Sequence, residues 1–222
     1  MSDRAVRVVA FDVNETMFSL DNLGPAFARQ GLDPAAVSLW FTRLLRDGFA
    51  LTAMGQYRPF IDLAAHHLRA LSPVALDDSA VETILGAFRR LDPHPDVEPA
   101  LRLLRDAGVP AVTLTNGSAD LVGALLDRAG LAPLVQRSMS VEQVRRWKPA
   151  AEPYRWAAAE LQVEPSQVAL VACHPWDCAG AHAAGLRSGW VNRTEAAWPT
   201  VFPPPDVTAQ DLAEVAAGLL QL

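Results

Sequence analysis

A chain of 222 residues, half of them hydrophobic and a fifth charged, has the makings of one substantial domain or of a core carrying an insertion, and is not a disordered or fibrous polypeptide. A formal net charge of −6 offers no basic face to nucleic acid, and the two cysteines, Cys173 and Cys178, lack CxxC spacing, so a disulfide framework is not expected. Residues 1–6 are charged and run straight into a strand without a signal-peptide core, and no apolar run is long enough to span a membrane; the expected protein is cytoplasmic, with a small-molecule substrate and no nucleic-acid or membrane partner.

Residues 6–11 (VRVVAF) form a short, continuous apolar run, the signature of a strand buried on both faces of a parallel sheet. Residues 20–91 contain no convincing strand. They carry helical stripes instead: Leu39, Leu44 and Leu45; Phe60, Leu63, Ala64 and Leu68; Val81, Ile84, Leu85 and Phe88. This stretch reads as a helical cap inserted after the first strand, closed by the proline-rich return at 92–96. Residues 1–19 and 92–222 then make up the α/β core.

The core resumes with a stripe at Ala100, Leu101, Leu103 and Leu104, a strand at 110–114, and a second stripe at Leu121, Ala124, Leu125 and Leu131. A helix is expected over 153–161, strands over 168–173 and 189–191, and a turn with one closing helix after the three prolines at 203–205. Strand alternating with helix specifies a doubly wound parallel α/β sheet, in which chemistry sits beyond the carboxyl ends of the strands.

Polar clusters stand at those ends. Asp12-Val13-Asn14-Glu15-Thr16 follows the first strand, Thr115-Asn116-Gly117-Ser118 the second, and His174-Pro175-Trp176-Asp177 a later one; Lys148 precedes Pro149 ahead of the 153–161 helix. Singly, each is an ordinary helix cap, turn or surface lysine. Together, in this order, they resemble the motifs of the haloacid dehalogenase superfamily, and within it the type II 2-haloacid dehalogenases. Tyr154, six residues beyond Lys148, belongs to the same likeness, as do the cap phrases Leu39-Trp40 and 54–60 (MGQYRPF).

The resemblance implies a Rossmann-like core of strand order 3-2-1-4-5; as an alternative to a pocket, the apolar residues of the cap form the interface of a possible homodimer. The resemblance also implies a hydrolase in which Asp12 is a covalent nucleophile. Lys148 would hold Asp12 ionised and Thr16 would fix its rotamer. Asp12 would displace halide from C2 of a small 2-halo acid, leaving an aspartyl ester, and Asp177 would orient or deprotonate the water that hydrolyses it. Asn14, Phe41, Thr115, Asn116, Tyr154, His174 and Trp176 would contact substrate, helped by backbone N–H groups around Asn116 and Gly117, while Phe60 and Leu45 would complete an apolar wall.

Phosphatases of the superfamily have a second aspartate two residues after the nucleophile, whereas this chain has Asn14, an amide that cannot serve as proton donor and acceptor in turn. Only one carboxylate, Asp177, stands in the last motif. No metal or other cofactor is therefore expected; Mg²⁺ belongs only to the alternative of a phosphatase, and a catalytically silent binding protein is a third reading. Four positions depart from the dehalogenase pattern. Phe41 stands in place of an arginine that receives the halide, and Arg43 and Arg46 lie at other angles of the helix. Asn14-Glu15 replaces an aromatic residue and a glycine, Ala172 a serine, and His174 an asparagine.

Overall fold

The computed structural model describes residues 6–72, 75–193 and 197–222; the charged stretch before Val6 lies outside them. Six parallel strands form one sheet, ordered β3-β2-β1-β4-β5-β6: β1 Val8–Phe11, β2 Ala111–Thr115, β3 Arg137–Ser140, β4 Val168–Ala172, β5 Arg187–Val191 and β6 Val207–Ala209. The expected order 3-2-1-4-5 is present, extended by β6 at the edge.

Every residue of β1, β2 and β4 is buried. Successive side chains of a strand point to opposite faces, so Val9 and Phe11 enter one core while Val8 and Ala10 enter the other. That two-sided burial is why these strands read as continuous apolar runs. Helices α5 (Val97–Asp106), α6 (Ala119–Arg128) and α9 (Leu212–Leu219) cover the first face. Helices α7 (Ala151–Glu160) and α8 (Pro175–Ala183) cover the second.

Between β1 and α5 the described chain is helical: α1 Leu23–Arg29, α2 Ala36–Ala53, α3 Phe60–Leu71 and α4 Asp78–Ala87. The excursion begins and ends at one point. Phe18 bridges Pro93, and the Ser19 N–H donates to the Asp92 carbonyl at 3.0 Å. The excursion's apolar residues share a core with the first face of the sheet: Trp40 meets Phe27 edge-on at 5.7 Å and Phe88 at 5.6 Å.

Several sequence expectations are corrected. β3 has no apolar run to announce it, because only Met139 and Ser140 are buried there. The region after 203–205 contains β6 as well as the closing helix; as an edge strand only partly buried, β6 lacks an apolar signature. In the helices, the expected stripes are out of phase at single positions. Leu39 and Leu103 face outward, while Trp40 and Phe41 in α2 and Val122 and Leu126 in α6 face inward.

Candidate active site

β1 ends in the middle of the sheet, hydrogen-bonded on one side to β2 and on the other to β4. Asp12, the next residue, is held by its N–H donating to the Val171 carbonyl at 2.9 Å. A tight turn follows, in which Met17 and Phe18 both donate to the Val13 carbonyl and Glu15 donates to Phe18. This brings Thr16 back over Asp12, where its hydroxyl donates to Asp12 Oδ2 at 2.8 Å and accepts the Cys173 N–H at 3.0 Å. Glu15 takes a left-handed backbone, φ 63°, a conformation that costs a residue with a Cβ about 1–2 kcal/mol.

Lys148 reaches the same point from the loop before α7 and is wholly buried. Its Nζ donates to Asp12 Oδ1 at 2.8 Å, to Asp177 Oδ2 at 2.5 Å and to the Leu114 carbonyl at 2.8 Å. An ammonium has three donors, and all three are used. Asp177 stands in the first turn of α8, behind Pro175 at the first helical position; its second oxygen accepts the Tyr154 hydroxyl at 2.6 Å. Gly180, one turn further, lets Pro149 and Tyr154 approach: a Cβ there would lie 2.5 Å from Pro149 Cβ and 2.7 Å from the Tyr154 hydroxyl.

Burial is the largest influence on each of these groups, and the neighbours decide where it leaves them. For Asp12 it is outweighed by Lys148, His174 and Thr16, so its pKa is lowered and it stays ionised. For Lys148 burial is outweighed by the two carboxylates, and its pKa is raised. Asp177 is pushed up by burial and by the Asp12 charge, against Lys148 and Tyr154. Burial and Asp177 together raise the Tyr154 phenol well above its ordinary value, so it is the donor in its bond to Asp177.

The remaining predicted residues divide. Asn116 is buried, and its side-chain carbonyl accepts the Lys148 N–H at 2.9 Å, so it positions the lysine backbone. The Thr115 hydroxyl accepts the Gly117 N–H at 2.9 Å; that N–H, expected to face substrate, is consumed within its own loop. Asn14 is buried, and its backbone carbonyl lies 3.3 Å from His174 Nε2. His174 Nε2 also lies 3.8 Å from Asp12 Oδ2 and 3.6 Å from Glu15 Oε2. Trp176 stacks on His174 at 5.1 Å and meets Phe49 at 4.9 Å. Phe41 of α2 is buried between Phe60 and His174, at 6.5 and 6.4 Å. Leu45 is only half-buried. A cleft of about 610 Å³, lined by Glu15, Leu20, Asp21 and Val37 among others, opens beside the turn after β1.

The motif family matching this constellation spans residues 6–185, described as a haloacid dehalogenase-like hydrolase. The chain belongs to that family. This haloacid dehalogenase-like hydrolase is 29% identical over 226 residues to (S)-2-haloacid dehalogenase of Pseudomonas sp. strain YL, covering 96% of this chain and 97% of the relative. It is 28% identical to (S)-2-haloacid dehalogenase 1 of Pseudomonas sp. strain CBS-3, covering 98% of both. Its fold superposes on the L-2-haloacid dehalogenase of Xanthobacter autotrophicus with a TM-score of 0.88, at 23% identity, over 96% of this chain and 97% of that one.

The family also contains members with a divalent cation, and the donor set here does not fit one. Between Asp12 and Asp177 stands a positive ammonium, 2.8 and 2.5 Å from their oxygens, and Asn14 replaces a carboxylate with an amide. Among the described residues no group of three His, Cys, Asp or Glu side chains is placed to hold a metal ion, and no helix is long and apolar enough to cross a membrane.

Two contributors to the hydrolase's site escape a reading of the sequence. Arg193, after β5, donates twice to the Thr16 carbonyl, at 2.8 and 3.0 Å, and pairs with Asp96 at 2.9 Å. Trp147 donates its indole N–H to the Arg58 carbonyl at 3.0 Å, stacks on Phe60 at 6.0 Å, and donates its backbone N–H to the Thr52 hydroxyl at 3.0 Å. Arg193 lies 177 residues from Thr16; Trp147 adjoins Lys148, but its partners Thr52, Arg58 and Phe60 are far in sequence, and neither residue has a local signature.

Proposed function

We propose that this hydrolase cleaves the carbon–halogen bond of a small 2-halo carboxylate through an ester on Asp12, without a metal or other cofactor. The observation that carries this reading is the Lys148 ammonium bridging Asp12 and Asp177 at the open end of the sheet. An ionised, desolvated carboxylate beside a cation suits nucleophilic attack at carbon. The named activities of the relatives point the same way.

In this reading one Asp12 oxygen attacks C2, the C–O bond forms, and halide leaves with the electrons of the C–X bond. Water then adds to the Asp12 carboxyl carbon, releasing the 2-hydroxy acid and restoring the carboxylate. Thr16 fixes the Asp12 rotamer, Lys148 keeps Asp12 charged and balances the developing oxyanion, and Asp177 orients the water. Asn116 and Tyr154 act through Lys148 and Asp177. Helices α1 to α4, within 20–91, act as a cap; its Phe41 and Phe60, with Trp176, provide the apolar wall that excludes bulk water. The exposed Leu39, Met54 and Ile61 of that region support self-association as a homodimer.

The test is single-turnover reaction in ¹⁸O-water with a panel of 2-halo acids, followed by mass analysis of the Asp12 peptide. One heavy oxygen in the Asp12 carboxylate is expected. Label confined to the hydroxy-acid product would overturn the ester route.

A further inference from the structure

The turn after β1 is tied from outside itself at three successive carbonyls, those of Glu15, Thr16 and Met17. His94 Nε2 lies 3.0 Å from the Glu15 carbonyl. Arg193 donates to the Thr16 carbonyl at 2.8 and 3.0 Å. The His94 backbone N–H donates to the Met17 carbonyl at 2.9 Å. His94 thus takes the carbonyls on both sides of Thr16, the residue whose hydroxyl donates to Asp12 Oδ2 at 2.8 Å. A carbonyl can only accept, so the His94 ring carries its hydrogen on Nε2.

We propose that His94 is a positioning residue for the nucleophile: by holding the carbonyls of Glu15 and Met17 it fixes Thr16 over Asp12. The proposal rests on the ester reading given above. Glu15 has a left-handed backbone, φ 63°, and such a conformation persists where the surrounding bonds over-determine it. Here the Glu15 N–H donates to the Phe18 carbonyl at 2.8 Å and its carbonyl is taken by His94, so both of its backbone polar groups are engaged. His94 belongs to the return at 92–96, which also gives the Asp92 carbonyl to the Ser19 N–H and the Asp96 carboxylate to Arg193. One short segment therefore grips the turn from Glu15 to Ser19.

The His94 ring is half-buried. Burial and the nearby Arg193 charge lower its pKa, against the Glu15 carbonyl, Asp96 and Asp21, so at neutral pH it is an uncharged donor. With no charge to offer, it reaches Asp12 through Thr16. Burial raises the Asp12 pKa, and Lys148, His174 and the Thr16 hydroxyl outweigh it. Lys148 from the loop before α7, His174 and Asp177 at the start of α8, and Glu15 in the turn itself stay in place when the His94 side chain is changed. Loosening Thr16 then slows the attack by Asp12 and also raises the pH at which Asp12 becomes ionised.

The experiment is single-turnover formation of the Asp12 ester from 2-bromopropionate across pH, followed by mass, together with steady-state KM. It compares the full chain with His94→Gln, His94→Asn, Thr16→Val and the double variant His94→Asn with Thr16→Val. A glutamine amide reaches the place of Nε2, and the shorter asparagine amide does not. His94→Asn is expected to slow ester formation about 10-fold, the worth of one hydrogen bond, with KM unchanged and the acid limb of the rate moved to higher pH. His94→Gln should stay within about 2-fold of the parent. In the Thr16→Val background the asparagine should cost nothing further, because both changes act on the same bond. Losses that multiply in the double variant, a loss confined to KM, an acid limb left in place, a His94→Asn rate equal to the parent's, or a His94→Gln as slow as His94→Asn would each overturn the role of His94 while leaving the ester reading intact. Absence of any Asp12 ester in the unaltered chain would remove both.

Discussion

Gly48 of α2 lies directly against the Trp147 indole: a Cβ at position 48 would stand 2.5 Å from the ring. Trp147 is the residue before Lys148, and the helical excursion grips it on several sides, through Thr52, Arg58 and Phe60. The helical excursion and the lysine are thus packed as one unit, since a close-packed interior transmits displacement.

Gly48→Ala is therefore expected to destabilise the protein. Alanine in a free helix position gains up to about 1 kcal/mol over glycine, but forcing a methyl into packed space costs about 1–3 kcal/mol, and the indole cannot swing away without breaking its bond to Arg58. Chemical denaturation reads the loss, and ester formation should slow with it because Lys148 is displaced. A gain in stability would show that Trp147 is free to move.

Removing the charge of Lys148 leaves two carboxylates buried together. Lys148→Met is expected to abolish ester formation and to cost about 3–5 kcal/mol at neutral pH, the usual penalty for an unpaired buried charge. It also reverses a pH trend: with no cation, Asp12 and Asp177 fold more readily when protonated, so the variant should become more stable as pH falls toward the carboxylate range. Unfolding midpoints over that range decide it; a variant as stable at neutral pH as the parent would refute the pairing.

The ionisation of the parent sets its own window. Asp12 has a lowered pKa, so its stabilisation is present above the ordinary carboxylate range and is lost as pH falls through its folded value. His174 has a raised pKa, so its stabilisation is complete below the ordinary value of 6.5 and is lost progressively up to about 10. Unfolding free energy should decline between those two values, and His174→Gln should flatten that decline. Identical slopes in the two proteins would contradict the charge assigned to His174.

Arg193 braces Thr16 through its backbone carbonyl. Arg193→Met should release the Thr16 carbonyl and leave Asp96, among the described residues, with the Leu212 N–H, at a cost of about 1.5–3 kcal/mol for charge-assisted bonds. Thr16 should then hold Asp12 less firmly, lowering kcat with little change in KM. An unchanged kcat would show that the Thr16 hydroxyl is fixed by Cys173 alone.

The sequence by itself determined the sheet's centre and the order of the chemistry. Strands β1, β2 and β4 are apolar on both faces, and the polar residues that follow them, Asp12, Asn116 and Asp177, can only stand at the open end of such a sheet. Edge elements were not legible: β3 and β6 are partly exposed and carry mixed side chains, so no periodicity marks them. Nor was the use of each polar atom. Thr115 and Gly117 satisfy each other, Asn116 serves the Lys148 backbone, and Arg193 reaches Thr16 across 177 residues. Local pattern records which face of a strand or helix is buried, because burial repeats with the backbone. The partner of a single donor is set by chain segments brought together only when the sheet and its helices close, and that was decided by the tertiary structure.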